Sequence, residues 1–142
     1  MNSKFLVFVQ FLTVGVIIYP KQSTTLMPFW WILLLIASLT ALWIFMHNKV
    51  GNFNIVPEIK PEAKLIVTGP YRFVRHPMYS SLILFMIGVV LWHFNWVNLF
   101  ALFVMSIAVL LKAFKEEKLW HNNDERYKNY KSKTKMIIPF LL

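Results

Sequence analysis

The sequence predicts an all-α integral membrane bundle of four transmembrane helices followed by a cytoplasmic C-terminal helix. Hydrophobic residues make up 58% of the 142 residues and charged residues only 15%, against roughly 25% charged in soluble domains. The apolar residues fall into four long runs, and the charged residues lie mostly between and after those runs. A chain of this length is expected to form a single domain, residues 1–142.

The first two predicted spans cover residues 5–19 and 28–46. The first is a continuous apolar run that ends before Pro20, and its flanks bring it to the roughly 20 residues that a spanning helix needs. The second begins at Pro28 and is rich in tryptophan, which is enriched at membrane interfaces. Residues 47–77 follow as a polar linker, which contains Pro57 and Pro61.

The last two predicted spans cover residues 78–94 and 96–114. Only Asn95 separates them, so they are expected to form a hairpin of antiparallel helices. Residues 115–142 form a tail that is strongly charged up to Lys135, where we expect a helix that extends the fourth span out of the membrane. The tail then turns apolar and contains Pro139, and we expect its last residues to fold back onto the bilayer surface or the bundle.

The distribution of basic residues predicts the orientation. Lysine and arginine are concentrated in the linker and the tail, and the hairpin at residues 94–96 has none. By the positive-inside rule the linker and the tail face the cytoplasm, and an even number of spans puts both termini there too. All six acidic residues also lie in these two segments. Polar chemistry is therefore expected on the cytoplasmic side, with a bacterial inner membrane as the expected location.

Residues 69–79, which read GPYRFVRHPMY, form the first candidate site. Their two prolines bend or extend the backbone, because proline fixes φ and restricts the residue before it. We expect a helix to begin at Pro77, a favoured first helical position. Arg75 and His76 then lie at a helix start, where free N–H groups and partial positive charge suit an anionic group. The alternative is that these are ordinary membrane-interface residues.

Glu116 and Glu117 form a second candidate cluster just past the fourth span. Because the last two spans form a hairpin, its open end is expected to bring these glutamates near Arg75 and His76. Such a cluster, at the mouth of an apolar bundle, could hold a cationic ligand and an anionic substrate together. The alternative is an interfacial salt bridge, such as Arg75 to Glu116, that only ties the hairpin together.

The charged tail contains one further pattern. Tyr127 and Tyr130 are three residues apart and share one helix face. For each tyrosine alone, packing of a tail helix on the bundle is the expected role, and the neighbouring lysines are expected to meet solvent or lipid phosphates.

The sequence also excludes or disfavours several kinds of site. Without cysteine there is no disulfide, cysteine metal ligand or thiolate nucleophile. The four glycines lie far apart, which excludes a glycine-rich phosphate loop, and the histidines have no metal-site spacing, so we expect no metal. The net charge of +9 is better explained by membrane topology, since the basic residues flank apolar spans, than by nucleic-acid binding. No charged residue lies in the middle of a span, which argues against an ion or proton pathway.

Residues 69–79, followed one hairpin later by Glu116-Glu117, by Tyr127 and Tyr130 and by Pro139, resemble the isoprenylcysteine carboxyl methyltransferase family. The related phospholipid N-methyltransferases share much of this pattern, and the resemblance covers roughly residues 50–142. It implies a membrane-embedded enzyme that uses S-adenosylmethionine without a Rossmann domain. The cofactor pocket would be formed by the loop before the third span, the ends of the last two spans and the C-terminal segment.

The resemblance also implies roles for individual residues. The residues expected to form the cofactor site are Tyr71, His76, Pro77, Tyr79, Glu116 and Glu117. Two residues are the catalytic candidates: Arg75 would orient a substrate carboxylate or phosphate, and Glu117, or else His76, would accept a proton from an amine acceptor. The sequence departs from the family at Ser81 and Asp124, where glycine is often found. The first change could narrow the cofactor's approach, and the second could change the tail's turn.

The expected function is S-adenosylmethionine-dependent methylation of a lipophilic small molecule or lipid in the membrane. Carboxyl O-methylation of an isoprenylcysteine-like substrate is the first choice. Methylation of a phospholipid or another small amphiphile is the alternative, because nothing in the sequence identifies the acceptor. A non-enzymatic membrane scaffold, with a structural Arg75–Glu116 pair, is the competing class. The sequence does not indicate an oligomeric state.

Overall fold

The computed structural model describes residues 2–19, 22–48, 56 and 65–138. This part of the chain forms helices and two isolated β-bridges, with no β-strand. The α-helices are α1 (Ser3–Ile18), α2 (Trp30–His47), α3 (Pro77–Trp92), α4 (Trp96–Asn123) and α5 (Arg126–Lys133), and a 3₁₀ helix covers Gly69–Arg72. The predicted all-α fold class is confirmed.

The helix boundaries follow local sequence signals. Asn2 caps α1, since its Oδ1 accepts a hydrogen bond from Lys4 N at 3.1 Å. Asn95 caps α4 in the same way, accepting from Asn98 N at 2.8 Å. Pro77 is the first residue of α3, as predicted from the fixed φ of proline. The four apolar helices therefore begin within two residues of the predicted spans.

The fourth helix continues well past the predicted span. It has 28 residues, or about 42 Å at 1.5 Å per residue, whereas the hydrocarbon core of a bilayer is about 30 Å thick. The last turns, which carry Glu116 and Glu117, extend beyond the apolar part of the helix. Asp124 ends α4 with an extended backbone at φ −141°, so the turn before α5 accepts a residue other than glycine without strain.

Two of the helices, α2 and α4, are long and apolar enough to cross a membrane. The helices α1 and α3 are also apolar but have only 16 residues each. The bundle of four spans therefore stays a prediction. Large side chains such as Phe8, Phe45 and Phe103 are more than 60% exposed, and an extensive apolar surface of this kind marks contact with a membrane or a partner.

The helices pack as two pairs around a shared core. Helix α1 packs mainly against α4, and α2 packs mainly against α3. The core between them contains Ile17 from α1, Met86 and Val90 from α3, and Met105 and Val109 from α4. The α1–α4 pairing brings the N-terminal helix beside the end of α4 that carries the two glutamates.

The two ends of the bundle differ in chemistry. At one end, Thr24 in the α1–α2 loop and Phe94 in the α3–α4 hairpin exchange backbone hydrogen bonds of 3.0 and 2.8 Å. At the opposite end, four parts of the chain lie close together: the end of α2, the segment just before α3, the end of α4, and helix α5. Of the predicted linker and tail, Pro57, Pro61 and Pro139 lie outside the described residues.

Candidate functional site

The segment before α3 folds into a sharp corner. Gly69 has φ +59°, a conformation that favours glycine. The ring of His47 also lies 2.7 Å from the position that a Cβ would take there. The 3₁₀ helix follows, and α3 then begins. The corner places Arg75 and His76 at the start of α3, facing the end of α4.

The guanidinium of Arg75 ties three segments together. Its Nε donates a hydrogen bond to Glu117 Oε1 of α4 at 2.5 Å. Its Nη1 donates to the carbonyl of Lys131 in α5 at 3.2 Å and to the carbonyl of Thr134 just after α5. Both members of the Arg75–Glu117 pair are more than nine-tenths buried. Arg75 is thus a structural link at the site, and its role toward a substrate stays a prediction.

Glu117 is held by two cations. Besides Arg75, Lys131 contributes its Nζ, which lies 2.7 Å from Glu117 Oε2. Burial alone would raise the pKa of Glu117, but the hydrogen bonds from Lys131 and Arg75 outweigh this effect and hold the pKa below its ordinary value of 4.5. Glu117 is therefore an ionised carboxylate with a cation at each oxygen.

Glu116, one residue away, has a different environment. Its Oε1 accepts a hydrogen bond from Tyr79 OH at 2.6 Å, and its Oε2 lies 3.3 Å from His76 Nδ1. The side chain is 20% exposed. Among the residues that the structure describes, no lysine or arginine nitrogen lies within 4 Å of its carboxylate. Glu116 is the member of the pair that can still bind a cation.

His76 lies between the two carboxylates. Its Nδ1 faces Glu116, its Nε2 lies 3.8 Å from Glu117 Oε1, and its ring stacks on Tyr79 with centroids 5.5 Å apart. Nε2 is buried and makes no hydrogen bond within the described part of the chain. In the neutral tautomer that carries its hydrogen on Nδ1, Nε2 would present a free lone pair.

The chain after α5 closes the site from the side. Residues 134–137, here called the tail strap, run alongside the corner. The N–H of Arg75 donates to the carbonyl of Lys135 at 2.8 Å, and the N–H of His76 donates to the carbonyl of Met136 at 3.0 Å. The apolar side chains at the end of the strap are buried against α4. Met136 and Ile137 therefore pack on the bundle, which is one of the two outcomes expected for the end of the tail, and residues 139–142 lie outside the described residues.

Tyr130 and Tyr71 connect α5 to the corner and to the end of α2, and Tyr127 is buried beside them. Tyr127 and Tyr130 are both buried, as expected from their spacing. Tyr130 OH donates to the carbonyl of Tyr71 at 2.6 Å, and Tyr71 OH accepts from Asn48 Nδ2 at 3.0 Å. Burial, and secondly the charge of Glu116, raises the pKa of Tyr71 to about 12, so its phenol is neutral at physiological pH.

The structure brings the two predicted clusters together at one end of the bundle. The predicted site residues found there are Tyr71, Arg75, His76, Pro77, Tyr79, Glu116 and Glu117. The arginine pairs with Glu117 rather than with Glu116. Sequence reasoning missed Lys131, because it placed the lysines of α5 in solvent. The available signal was its i, i+4 spacing from Tyr127, which puts Lys131 near the buried face of α5.

A comparison with known families matches residues 27–123 to the phospholipid methyltransferases. The matched region runs from just before α2 to the end of α4, so it contains the corner and both glutamates but neither α5 nor the tail strap. This match confirms the relation predicted from the arginine–histidine and glutamate motifs. A search of curated proteins finds no significant match.

Proposed function

The chain belongs to the phospholipid methyltransferase family, and from this premise we propose that it is an integral membrane enzyme that methylates a lipophilic acceptor with S-adenosylmethionine. We propose four membrane spans. The helices α1 and α3 are the shorter two, and the residues that flank them would make up the rest of the length needed to cross the bilayer. It places both termini and the site end on the cytoplasmic side of a bacterial inner membrane. The water-soluble donor would then enter from the cytoplasm and the acceptor from the bilayer.

The observation that supports this proposal most directly is the convergence of the Arg75–His76 corner and the Glu116–Glu117 pair. The two clusters are about 40 residues apart in sequence, yet Arg75 and Glu117 are 2.5 Å apart and His76 and Glu116 are 3.3 Å apart. The charges of Arg75 and Lys131 compensate Glu117, whereas Glu116 is partly exposed and has no lysine or arginine in direct contact among the described residues. The donor carries a sulfonium and an ammonium, so Glu116 suits one of its cationic groups.

The residues around Glu116 also fit such a donor. The stacked rings of His76 and Tyr79 offer aromatic surface beside the carboxylate, a favourable environment for a cation. Tyr71 and Pro77 bound the same corner. When bound, the donor would supply a methyl group: an acceptor oxygen or nitrogen would form a bond to the methyl carbon in line with the breaking carbon–sulfur bond, whose electron pair would stay on sulfur. The contribution of these residues is to hold and orient the reactants, which can lower such a barrier substantially.

Two classes of acceptor fit this site. The first is the carboxylate of an isoprenylcysteine-like lipid, which is already ionised at neutral pH and needs no base. The second is an amine of a phospholipid or another small amphiphile, which must lose a proton. The family match and the unpartnered Nε2 of His76 favour the second class, because that nitrogen could accept the proton.

The pH dependence of methyl transfer separates the two classes. A carboxylate acceptor is ionised above about pH 6, so its rate should be flat at neutral pH. An amine acceptor with an ordinary pKa near 10 becomes more reactive as pH rises, so its rate should increase between about pH 7 and 9.

The direct test is methyl transfer in reconstituted vesicles. Methyl-labelled S-adenosylmethionine is supplied to purified protein in vesicles that contain either an amine phospholipid or an isoprenylcysteine analogue, and the lipids are then extracted. We expect label in one lipid fraction with the natural protein and none with Glu116→Gln. If a well-folded natural protein neither labels lipid nor binds the donor, the non-enzymatic scaffold becomes the better explanation.

A further inference from the structure

Lys112 is a buried cation that the proposed reaction does not use. It lies on α4 one turn before Glu116 and is 2% exposed. Its Nζ donates to Gln10 Oε1 of α1 at 2.7 Å and lies 5.3 Å from the centre of the Tyr79 ring. Within the described residues Gln10 is its one hydrogen-bond partner, so two of its three N–H donors have none.

The charge of Lys112 requires a counterion, because a buried ammonium is costly unless it is paired. The carboxylate that interacts with it is Glu116, one helical turn further along α4. Glu116 is also the residue proposed to hold the cationic donor. Once the donor compensates Glu116, Lys112 has no counter-charge among the described residues. An anion placed beside Lys112 would restore the balance.

We propose that Lys112, together with Gln10, binds the anionic group of the lipid-like acceptor and so determines which acceptors are used. This inference rests on the proposed function. An ammonium is a compact charge with several donors, which suits a phosphate or carboxylate oxygen. The amide nitrogen of Gln10 supplies a further donor beside it.

The position of Lys112 agrees with this role. It lies where the apolar stretch of α4 gives way to charged residues, which in the proposed topology is the depth at which a lipid headgroup meets its acyl chains. It also contacts Tyr79, whose hydroxyl donates to Glu116. An anionic group bound at Lys112 would therefore lie across the Tyr79 ring from Glu116, the residue proposed to hold the donor.

A purely structural role is the competing explanation, since the Lys112–Gln10 hydrogen bond also joins α4 to α1. The test therefore measures anion binding and folding separately. Native mass spectrometry of the protein in zwitterionic micelles gives dissociation constants for decyl phosphate, decanoate, uncharged decanol and inorganic phosphate. The variants are Lys112→Gln, the charge-conserving Lys112→Arg, and Lys118→Gln as a matched control at an exposed position of the same helix.

We expect Lys112→Gln to weaken binding of decyl phosphate or decanoate by about tenfold or more. Lys112→Arg should retain most of the affinity, and Lys118→Gln should stay within about twofold. Decanol should bind all variants equally, which excludes a general loss of fold. Tighter binding of the charged amphiphiles than of inorganic phosphate identifies a lipid source, whereas equal binding would overturn the assignment to a lipid.

Donor binding by the same samples separates this inference from the proposed function. If the natural protein and Lys112→Gln both bind S-adenosylmethionine, while Lys112→Gln binds the anionic amphiphiles as tightly as the natural protein, only the role of Lys112 is wrong. If the natural protein does not bind the donor, the proposed function itself is wrong.

Discussion

Adjacent residues on a helix point in directions about 100° apart, and this rotation gives the two glutamates different partners. It turns Glu117 toward Arg75 and Lys131, and it turns Glu116 toward Tyr79 and His76. One carboxylate thereby fixes the architecture of the site while the other keeps a charge that a ligand can use.

Arg75 should matter more for stability than its neighbour Arg72. Arg75→Gln removes one member of a buried pair, which typically costs about 3–5 kcal/mol, and Lys131 remains to compensate part of the charge of Glu117. Arg72 is exposed, and its guanidinium lies 5.5 Å from the centre of the Phe73 ring, so Arg72→Gln should cost less than about 1 kcal/mol. Chemical unfolding in detergent measures both, and equal costs would contradict the structural role of Arg75.

The pairing of Glu117 should also be visible in the pH dependence of stability. Its pKa is lower in the folded protein than the ordinary value of 4.5. Its stabilising effect is therefore fully present above that value and is lost as pH falls through the folded pKa. The difference in melting temperature between the natural protein and Glu117→Gln should shrink below about pH 4.5. A difference that stays constant between pH 7 and 3 would contradict the ion pairing.

At the scale of elements, the tail strap and α5 pack against the corner before α3 and are hydrogen-bonded to it. Tyr130 OH bonds to the carbonyl of Tyr71, and the strap accepts the N–H groups of Arg75 and His76. The family match ends before these segments, yet they supply Lys131 and three backbone carbonyls that accept hydrogen bonds from Arg75. The site is therefore completed by a part of the chain outside the matched region.

Removing the hydroxyl of Tyr130 should weaken the attachment of α5 and the tail strap to the corner. Tyr130→Phe loses a hydrogen bond worth about 0.5–1.5 kcal/mol, so amide hydrogen exchange at Arg75 and His76 should become roughly threefold to tenfold faster. Tyr19→Phe is the matched control, because Tyr19 is 69% exposed. Unchanged exchange at the corner would show that the strap stays docked without Tyr130.

Much of this element level could be predicted from the sequence. The lengths of the apolar runs and the positions of proline predicted where the helices begin, including the start of α3 at Pro77. The hairpin formed by the last two spans predicted that the two clusters lie close together. The partner of Arg75 could not be predicted, because it depends on the rotation of α4 about its axis. The end of α4 is apolar on several sides before the glutamates, so its hydrophobic pattern indicates no single inward face.

At the scale of the whole molecule, every contact of the candidate site lies at one end of the bundle, and the Thr24–Phe94 bridge closes the other end. The distribution of charged residues in the sequence was enough to predict that the polar groups lie at one end of the bundle. It did not predict that α1 packs against α4, which buries Lys112 beside Gln10. Packing partners among apolar helices depend on side-chain fit, which composition does not encode.

Because the chain has no cysteine, its orientation can be measured with single introduced thiols. Gln22→Cys lies near the hairpin end and Ser132→Cys lies on α5 at the site end. In intact cells a membrane-impermeant maleimide should label the first thiol and not the second, and inverted vesicles should show the reverse. Labelling of both thiols from the same side would contradict the proposed topology.

The central claim is that Glu116, at the meeting point of the two clusters, holds the cationic donor. Isothermal titration calorimetry of S-adenosylmethionine with the natural protein, Glu116→Gln and the exposed control Glu125→Gln tests it most directly. The predicted result is binding by the natural protein and by Glu125→Gln, and an affinity loss of about tenfold or more in a folded Glu116→Gln. Undiminished binding by Glu116→Gln would contradict the claim.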